Sequence, residues 1–254
     1  MKVLYFTNAG IRKKNEDSLL IHNRILSNIS MDTCEEIELS QKTPLIFGIA
    51  DGIGGRPGGE VASYLVLKDL KENKELLQKK DYLGILQKMH QSLNFEVKTK
   101  ADLEGMGTTI SSILVNNENV NVFHVGDTRI YAWNEQKLEL ITHDHTHVID
   151  LVEKGFLKYE DVPFHPMRNY LKSAITTNID VEKLEFQSIT LPLEKKNFFL
   201  CSDGVWEVIP DKKLKQILTS PIELFKKGEK IIKQCIENKV KDNFSFIIIE
   251  NSRK

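Results

Sequence analysis

The stretch LIFGIADGIGGRPGGEVA, residues 45–62, constrains the fold more than any other part of the chain. It begins with a short apolar run between turn-forming residues, which predicts a buried strand. The run stops at Asp51, and glycines at positions 52, 54, 55, 58 and 59 allow the backbone to turn sharply. Apolar residues then recur at helical spacing after Glu60. The sequence therefore predicts a strand that ends at a carboxylate, followed by a glycine turn and a helix.

The glycine turn does not match a nucleotide-binding loop. A Walker loop requires GxxxxGK followed by Ser or Thr, and no Lys stands at this place in the sequence. A dinucleotide-binding loop requires GxGxxG, but Pro57 occupies the position of the last glycine. The alternative that this stretch alone leaves open is a structural turn with a surface aspartate.

Three further apolar, strand-like runs border acidic turns. The acids in these turns are Glu16 with Asp17, Asp203, and Asp242. Strand ends at one edge of a sheet can converge, and clustered carboxylates repel one another unless protons or cations neutralise them. Oxygen ligands without cysteine suit hard ions such as Mg²⁺ or Mn²⁺. The acidic turns therefore predict a site for divalent ions.

Seven segments resemble the ordered motif series of the metal-dependent protein phosphatase 2C family. They are RKKNED (12–17), DGIGGRPGGEVAS (51–63), DLEGMGTT (102–109), VGDTRIY (125–131), LITHDH (140–145), LCSDG (200–204) and KDNFSFIII (241–249). Any one of these motifs would be weak evidence, because DG and GD are common turn dipeptides. The seven together follow the family's order and span nearly the whole chain. The match is best to the bacterial serine/threonine phosphatases of this family.

The resemblance implies an α+β fold, a four-layer α-β-β-α sandwich in which two largely antiparallel sheets pack together and helices cover both outer faces. The residues agree with this fold. Apolar residues between positions 82 and 93 recur at helical spacing, and residues 107–141 have the pattern of a strand meander. The 254 residues exceed the ~150 typical of a domain, but two-sheet folds reach ~250 and no Pro/Gly/Ser-rich linker divides the chain. We therefore predict a single catalytic domain over residues 1–254.

The resemblance also implies a set of metal ligands. Asp51 would bridge two divalent ions, Mn²⁺ or Mg²⁺, which share a water molecule, lower its pKa and aim it at phosphorus. The other predicted ligands are the Gly52 carbonyl, Asp203 and Asp242, with Glu16 and Asp17 acting through water. In bacterial members, the acid at the position of Asp102 helps to hold a third ion.

Arg12 and Ile53 are the remaining positions on which the resemblance bears directly. The guanidinium of Arg12 would hold two phosphate oxygens at once, which Lys cannot do. Arg12 and Asp51 are therefore the predicted catalytic residues, whereas Lys13 and Lys14 are expected to be surface charges. Eukaryotic members carry a His where this chain has Ile53. Because isoleucine cannot donate a proton, protonation of the leaving group must come from metal-bound water or elsewhere.

Other polar residues in the second half of the chain have structural interpretations. Asp127 and Arg129 lie near a turn between strands, where a salt bridge or a turn hydrogen bond is expected. His143, His145 and His147 alternate and could share a strand face, but helical spacing begins there and the family uses acids, so we do not predict a histidine metal site. Residues 145–166 match a flap segment that varies between family members and can help to select substrates.

The predicted function is a serine/threonine protein phosphatase that hydrolyses phosphoserine and phosphothreonine monoesters. The alternative is a pseudophosphatase that binds a phosphoprotein without turnover, although no metal acid is lost here. A cysteine-dependent phosphatase requires Arg six positions after its nucleophile, and none of the three cysteines meets this requirement. The GDxHG and GNHE motifs of the other large metallophosphatase group are also missing from the sequence.

Composition limits the partners and the cellular setting. The 35 basic and 36 acidic residues nearly balance, which gives no support for binding to nucleic acid or to a membrane surface. Cys34, Cys201 and Cys235 have no paired spacing, as expected for a reduced, cytoplasmic setting. No apolar run approaches the ~18 residues of a membrane span, and no signal-peptide core is evident. We expect a cytoplasmic monomer in bacterial signalling that acts on the products of a cognate serine/threonine kinase.

Overall fold

The computed structural model describes residues 1–40, 44–194 and 196–251, so residues 41–43, 195 and 252–254 of the predicted 1–254 domain lie outside the described residues. The strands are β1 (Lys2–Asn8), β2 (Asp17–Ile21), β3 (Arg24–Ser27), β4 (Glu35–Glu38), β5 (Leu45–Asp51), β6 (Gly107–Thr108), β7 (Ile110–Val115), β8 (Asn119–Val125), β9 (Arg129–Trp133), β10 (Leu138–Leu140), β11 (Ile175–Thr176), β12 (Gln187–Pro192), β13 (Asn197–Cys201) and β14 (Phe244–Glu250). The helices are α1 (Gly59–Glu72), α2 (Lys74–Gln78), α3 (Tyr82–Thr99), α4 (His147–Glu153), α5 (Asp203–Trp206), α6 (Asp211–Leu218) and α7 (Leu224–Glu237). Short 3-10 helices span Ala101–Leu103, Tyr159–Phe164 and Val181–Lys183.

Two antiparallel six-stranded sheets form the centre of the fold. The first has the strand order β10-β9-β13-β14-β1-β4 and the second β12-β8-β7-β5-β2-β3, while β6 and β11 form a small separate pair. Alternate side chains of β2 point to opposite faces of its sheet, as strand geometry requires. Leu19 belongs to the core that also contains Phe246 of the first sheet, whereas Leu20 belongs to the core beneath α1 and α3. The two sheets therefore pack face to face.

Helices cover both outer faces of the sheet pair. On the second sheet, α1 and α3 bury an apolar side that includes Leu70 and Met89, and the predicted helical spacing around position 85 falls on α3. On the first sheet, α7 buries Ile231 and Cys235 in the core that contains β1 and β14. The predicted α-β-β-α sandwich is therefore confirmed.

Gly48 in the middle of β5 brings α1 close to the second sheet. A Cβ atom at this position would lie 2.9 Å from Cδ2 of Leu67, one of the residues that α1 buries. Because real side chains do not tolerate such a contact, the absence of a side chain lets the helix pack directly on the strand. This packing holds α1 against β5, the strand that ends at Asp51.

Residues 145–166, the predicted flap, contain α4, a turn and the 3-10 helix Tyr159–Phe164. Phe156 and Phe164 are 79% and 82% exposed, so this segment presents apolar side chains to solvent. Among the described residues, His143, His145 and His147 are not arranged as a metal site. Nε2 of His143 lies 2.7 Å from Glu153, whereas Nδ1 of His145 accepts a hydrogen bond from the Gly126 amide. No helix in the described ranges is long and apolar enough to cross a bilayer.

Candidate active site

Strand ends from both sheets meet at one edge of the sandwich. In the second sheet, Asp17 at the start of β2 pairs with Asp51 at the end of β5. In the first sheet, β13 and β14 are antiparallel, so Asp203 after β13 and Asp242 before β14 lie at a common edge. The acids at positions 16, 51, 127, 203 and 242 line one cleft of about 290 Å³, with Arg12 at its border.

The backbone around Asp51 is held by several hydrogen bonds. The Asp51 carbonyl accepts from the Thr108 hydroxyl at 2.7 Å and from the Thr109 amide at 2.9 Å, and the Gly52 amide donates to the Glu16 carbonyl at 3.2 Å. A Cβ on Gly52 would lie 2.4 Å from the backbone of Gly59, so only glycine fits at this point. The side chain of Asp51 is therefore delivered to the cleft by a fixed turn.

The carboxylates of Asp51 and Asp203 resist ionisation. Burial raises the pKa of Asp51 well above its ordinary value, and the charges of Asp17 and Asp203 raise it further. Burial likewise raises the pKa of Asp203 well above its ordinary value, followed by the charges of Asp127 and Asp242. Each group is disfavoured as an anion because it is poorly solvated and faces other anions. A bound cation would relieve both effects.

Asp17 lies beneath the cleft and connects the two sheets. Its Oδ2 accepts hydrogen bonds from the Ser202 hydroxyl at 2.8 Å and the Ser245 hydroxyl at 2.6 Å. Burial raises its pKa to about 7, although these two hydroxyl groups act in the opposite direction. Its Oδ1 is buried and has no hydrogen-bond partner among the described residues. A buried oxygen of this kind is costly unless a proton, a water molecule or a cation satisfies it.

Asn243 ties the N-terminal loop to the start of β14. Its side-chain amide donates to the carbonyls of Ala9 and Lys14, both at 2.9 Å, and its Oδ1 accepts from the Glu16 amide at 2.8 Å. The loop that carries Arg12 and Glu16 is therefore fixed against the segment that carries Asp242. Glu16 is half-buried, and burial raises the pKa of its carboxyl, with further contributions from Glu60 and Asp242.

Arg12 lies at the mouth of the cleft and contacts Asp242. Its Nη2 donates to Oδ2 of Asp242 at 2.5 Å, and its Nε donates to the Lys241 carbonyl at 3.2 Å. Lys14, which is predicted to be a surface charge, forms an ion pair with Glu60 at the start of α1. The structure thus brings the predicted phosphate ligand next to one of the predicted metal ligands.

Asp127 lies in the cleft, although its sequence context predicts only a structural role in a turn. It is 5% exposed, and burial raises its pKa to about 7, followed by the charges of Asp144 and Glu207. The carbonyl of Asp127 accepts a hydrogen bond from Nε1 of Trp206 in α5, at 2.9 Å. A sequence signal was available, because Asp127 follows the apolar run of β8 much as Asp51 ends β5.

The expected salt bridge of Arg129 is present, but its partner is Asp144. Nη2 of Arg129 lies 2.6 Å from Oδ2 of Asp144, and both side chains are buried. Asp102 is exposed in the 3-10 helix Ala101–Leu103 and does not line the cleft. The structure therefore brings together all the predicted metal ligands except Asp102, with Asp17 beneath the cleft.

The ligand types in this cleft fit hard divalent cations. In the parts of the chain that the structure describes, no three acidic, histidine or cysteine side chains are already arranged to hold an ion. The acids are nevertheless gathered in one cleft, and Asp242 is turned towards Arg12. Carboxylates and a backbone carbonyl, without cysteine or histidine, are the ligands that Mg²⁺ and Mn²⁺ prefer. Together with the unsatisfied oxygen of Asp17, this composition supports a metal site.

Comparisons with known proteins agree with this geometry. The family described as protein phosphatase 2C matches residues 29–241 of the chain. A serine/threonine phosphatase, stp, of Listeria innocua is 30% identical over 224 residues, which are 85% of this chain and 87% of that protein.

Solved structures have the same fold. The crystal structure of serine/threonine phosphatase Stp1 from Staphylococcus aureus is 26% identical, with a TM-score of 0.83, and the match covers 99% of this chain and 95% of that one. The catalytic domain of a serine/threonine phosphatase called PstP, solved in complex with two manganese ions, is 24% identical. Its TM-score is 0.74 and the match covers 98% of each chain, a likeness of fold.

Proposed function

The chain belongs to the protein phosphatase 2C family of metal-dependent serine/threonine phosphatases, and we propose that it removes phosphate from phosphoserine and phosphothreonine by means of the acidic cleft. The observation that carries this proposal is the convergence of Asp51, Asp203 and Asp242 in one cleft with Arg12 at its mouth. Family membership favours this enzyme over a phosphoprotein-binding pseudophosphatase, and every acid of the predicted core set is retained.

We propose that the cleft holds two divalent ions, Mn²⁺ or Mg²⁺. Asp51, the Gly52 carbonyl, Asp203 and Asp242 would be direct ligands, and Glu16 and Asp17 would act through water molecules. For a third ion we propose Asp127 in place of the predicted Asp102, because Asp127 lines the cleft near Asp203 whereas Asp102 is exposed outside it. When bound, the ions lower the pKa of a water molecule and offset the charge of the phosphate.

The chain's own residues would orient the phosphate and shape the cleft. Arg12 offers donors in a planar fork, which suits two oxygens of one phosphate group. It already lies in hydrogen-bond contact with Asp242, so its guanidinium is held beside the centre of negative charge. Ile53 lines the same cleft and has no proton to donate. Its amide donates to the Gly107 carbonyl at 3.0 Å, which fixes this apolar wall next to Asp51.

The wider organisation follows from the same proposal. We propose that residues 1–254 form one catalytic domain, because the two sheets share a core, and that residues 145–166 act as a flap beside the cleft. Phosphorylated proteins are the substrates, and we propose a cognate serine/threonine kinase as the source of their phosphate. A cytoplasmic monomer remains the proposed state, in keeping with three buried cysteines that are all free.

The test of this function is metal-dependent hydrolysis. The purified protein should hydrolyse para-nitrophenyl phosphate and a phosphothreonine peptide, lose both activities in chelator and regain them with Mn²⁺ or Mg²⁺. Calorimetric titration of the chelator-treated protein with Mn²⁺ should show binding that Asp51→Asn weakens. Undiminished hydrolysis after exhaustive chelation would refute the metal-dependent mechanism.

A further inference from the structure

A second groove opens directly beside the acidic cleft. It has a volume of about 620 Å³, within the range of ligand pockets. Ile53, Asn169 and Leu171 line both the cleft and the groove, so the two are continuous. When a phosphorylated residue of a substrate binds in the cleft, the residues before and after it in the substrate chain must leave the cleft. The groove is a continuous path for those neighbours.

The charges of the groove are opposite to those of the cleft. Five acids line the cleft, whereas the groove is lined by Arg56, His147 and Lys172 and, among the described residues, by no Asp or Glu. The remaining lining is polar or apolar and includes Tyr170, which is 60% exposed. An acidic side chain next to the phosphorylated residue would therefore meet positive charge in the groove beside the cleft.

Arg56 is the basic side chain in the groove whose charge is available. Its Nη1 donates to the Gly105 carbonyl at 3.3 Å, and it forms no ion pair within the described ranges. Lys172 differs, because its Nζ lies 2.9 Å from Asp150 and 3.8 Å from Glu185, which offset its charge. Arginine has five N–H donors, so its bond to Gly105 positions the guanidinium and leaves donors free for a carboxylate.

We propose that this groove reads the residues next to the phosphoserine or phosphothreonine and selects substrates with acidic side chains there, with Arg56 as the main specificity residue. This inference rests on the proposed function and names the substrate class of the same site. The ligand is a peptide carboxylate, which the exposed fork of Arg56 can bind with two parallel hydrogen bonds.

The experiment compares kcat/KM for matched phosphothreonine peptides at low salt. One peptide has neutral flanks, one has two glutamates beside the phosphothreonine, and one has two lysines there. The wild-type protein should prefer the acidic over the neutral peptide by about two- to fivefold per contact, the value of an exposed ion pair. The preference should shrink as salt screens the interaction.

Charge reversal gives the sharper readout. Arg56→Glu should invert the order so that the lysine-flanked peptide becomes the better substrate. Arg56→Lys should keep only part of the acidic preference, because lysine keeps the charge but cannot form the two parallel hydrogen bonds. Lys230→Glu is the matched control, because Lys230 is an exposed residue of α7 on the other outer face, and it should leave the ratio unchanged.

The outcomes separate this inference from the proposed function. If none of the peptides is hydrolysed in a metal-dependent way, the proposed function fails and the inference fails with it. If all are hydrolysed with the same kcat/KM in wild type and Arg56→Glu, the inference alone is refuted. A doubly phosphorylated peptide forms a further arm: a preference for a second phosphate without any preference for glutamate would overturn the carboxylate assignment.

Discussion

Breaking the buried ion pair between Arg129 and Asp144 should destabilise the protein strongly. Asp144 accepts from Nε of Arg129 at 3.1 Å and from Nη2 at 2.6 Å, and the two side chains are 3% and 1% exposed. The guanidinium also lies 3.7 Å from the centre of the Trp206 ring. Asp144→Ala leaves this cation buried without its counter-charge, which costs about 3–5 kcal/mol of unfolding free energy.

The assay is urea unfolding of the chelator-treated protein, followed by tryptophan fluorescence. Replacing both partners, as Arg129→Met with Asp144→Leu, should restore much of the stability because no buried charge remains unpaired. The control is the exposed pair of Lys137 and Glu139, where Glu139→Ala should cost less than about 1 kcal/mol. If Asp144→Ala destabilises no more than Glu139→Ala, the assigned value of the buried pair is wrong.

Three further predictions concern the site and its surroundings. Arg12→Ala should lower kcat/KM for a phosphopeptide by about 10- to 100-fold, the value of a charge-assisted hydrogen bond. Arg12→Lys should recover part of this loss, and Lys13→Ala should change kcat/KM little. Near wild-type kcat/KM for Arg12→Ala would remove Arg12 from the site. Asp51→Asn should abolish turnover yet raise the melting temperature in chelator. The pKa of Asp51 is raised in the folded protein, so its negative charge opposes folding at neutral pH. A lower melting temperature of the variant would contradict this. His124 is buried and its pKa is lowered to about 3, so between that pH and about 6.5 the unfolded chain binds one more proton than the folded chain. The unfolding free energy should therefore fall by up to about 1.4 kcal/mol per pH unit below pH 6.5, and less steeply in His124→Gln. Equal slopes in urea titrations of the two proteins would refute the lowered pKa of His124.

The residues themselves predicted most of the acidic cleft, whereas the four-layer sandwich was predicted from the resemblance to the phosphatase 2C family. Apolar runs indicate buried strands, and an acid that ends or follows such a run lies at a strand end, where it can meet acids from neighbouring strands, as Asp51 and Asp203 do. The position of Asp127 in the cleft was not predicted, because an acid that follows an apolar run, as Asp127 follows β8, can face either solvent or other acids. Asp102 shows the opposite case. Its position in a family motif suggested a metal ligand, but the residue is exposed in the 3-10 helix Ala101–Leu103, outside the cleft.

Partners that are distant along the chain were also beyond sequence reasoning. The sequence predicts a salt bridge or a turn hydrogen bond for Arg129, but only the fold shows Asp144 as the partner, 15 residues further on. The second groove is a stronger example. Arg56 comes from the glycine turn after β5, whereas Tyr170 and Lys172 follow the flap, and nothing in either segment indicates the other.

The placement of the acids explains how the fold tolerates them. Five carboxylates that repel one another lie at one edge of the sandwich, in turns, at the end of β5 (Asp51) and at the start of α5 (Asp203), whereas the clusters of apolar side chains fill the interior. Because Asp51 ends a strand of the second sheet and Asp203 follows a strand of the first, part of this repulsion acts between the sheets, and the apolar core that the two sheets share opposes it. Asp17 is the exception, because it is fully buried, and there the hydroxyl groups of Ser202 and Ser245 stabilise the carboxylate from the facing sheet. Removing these hydroxyl groups would raise the penalty on Asp17, so the two serines belong to the support of the site although neither lines the cleft.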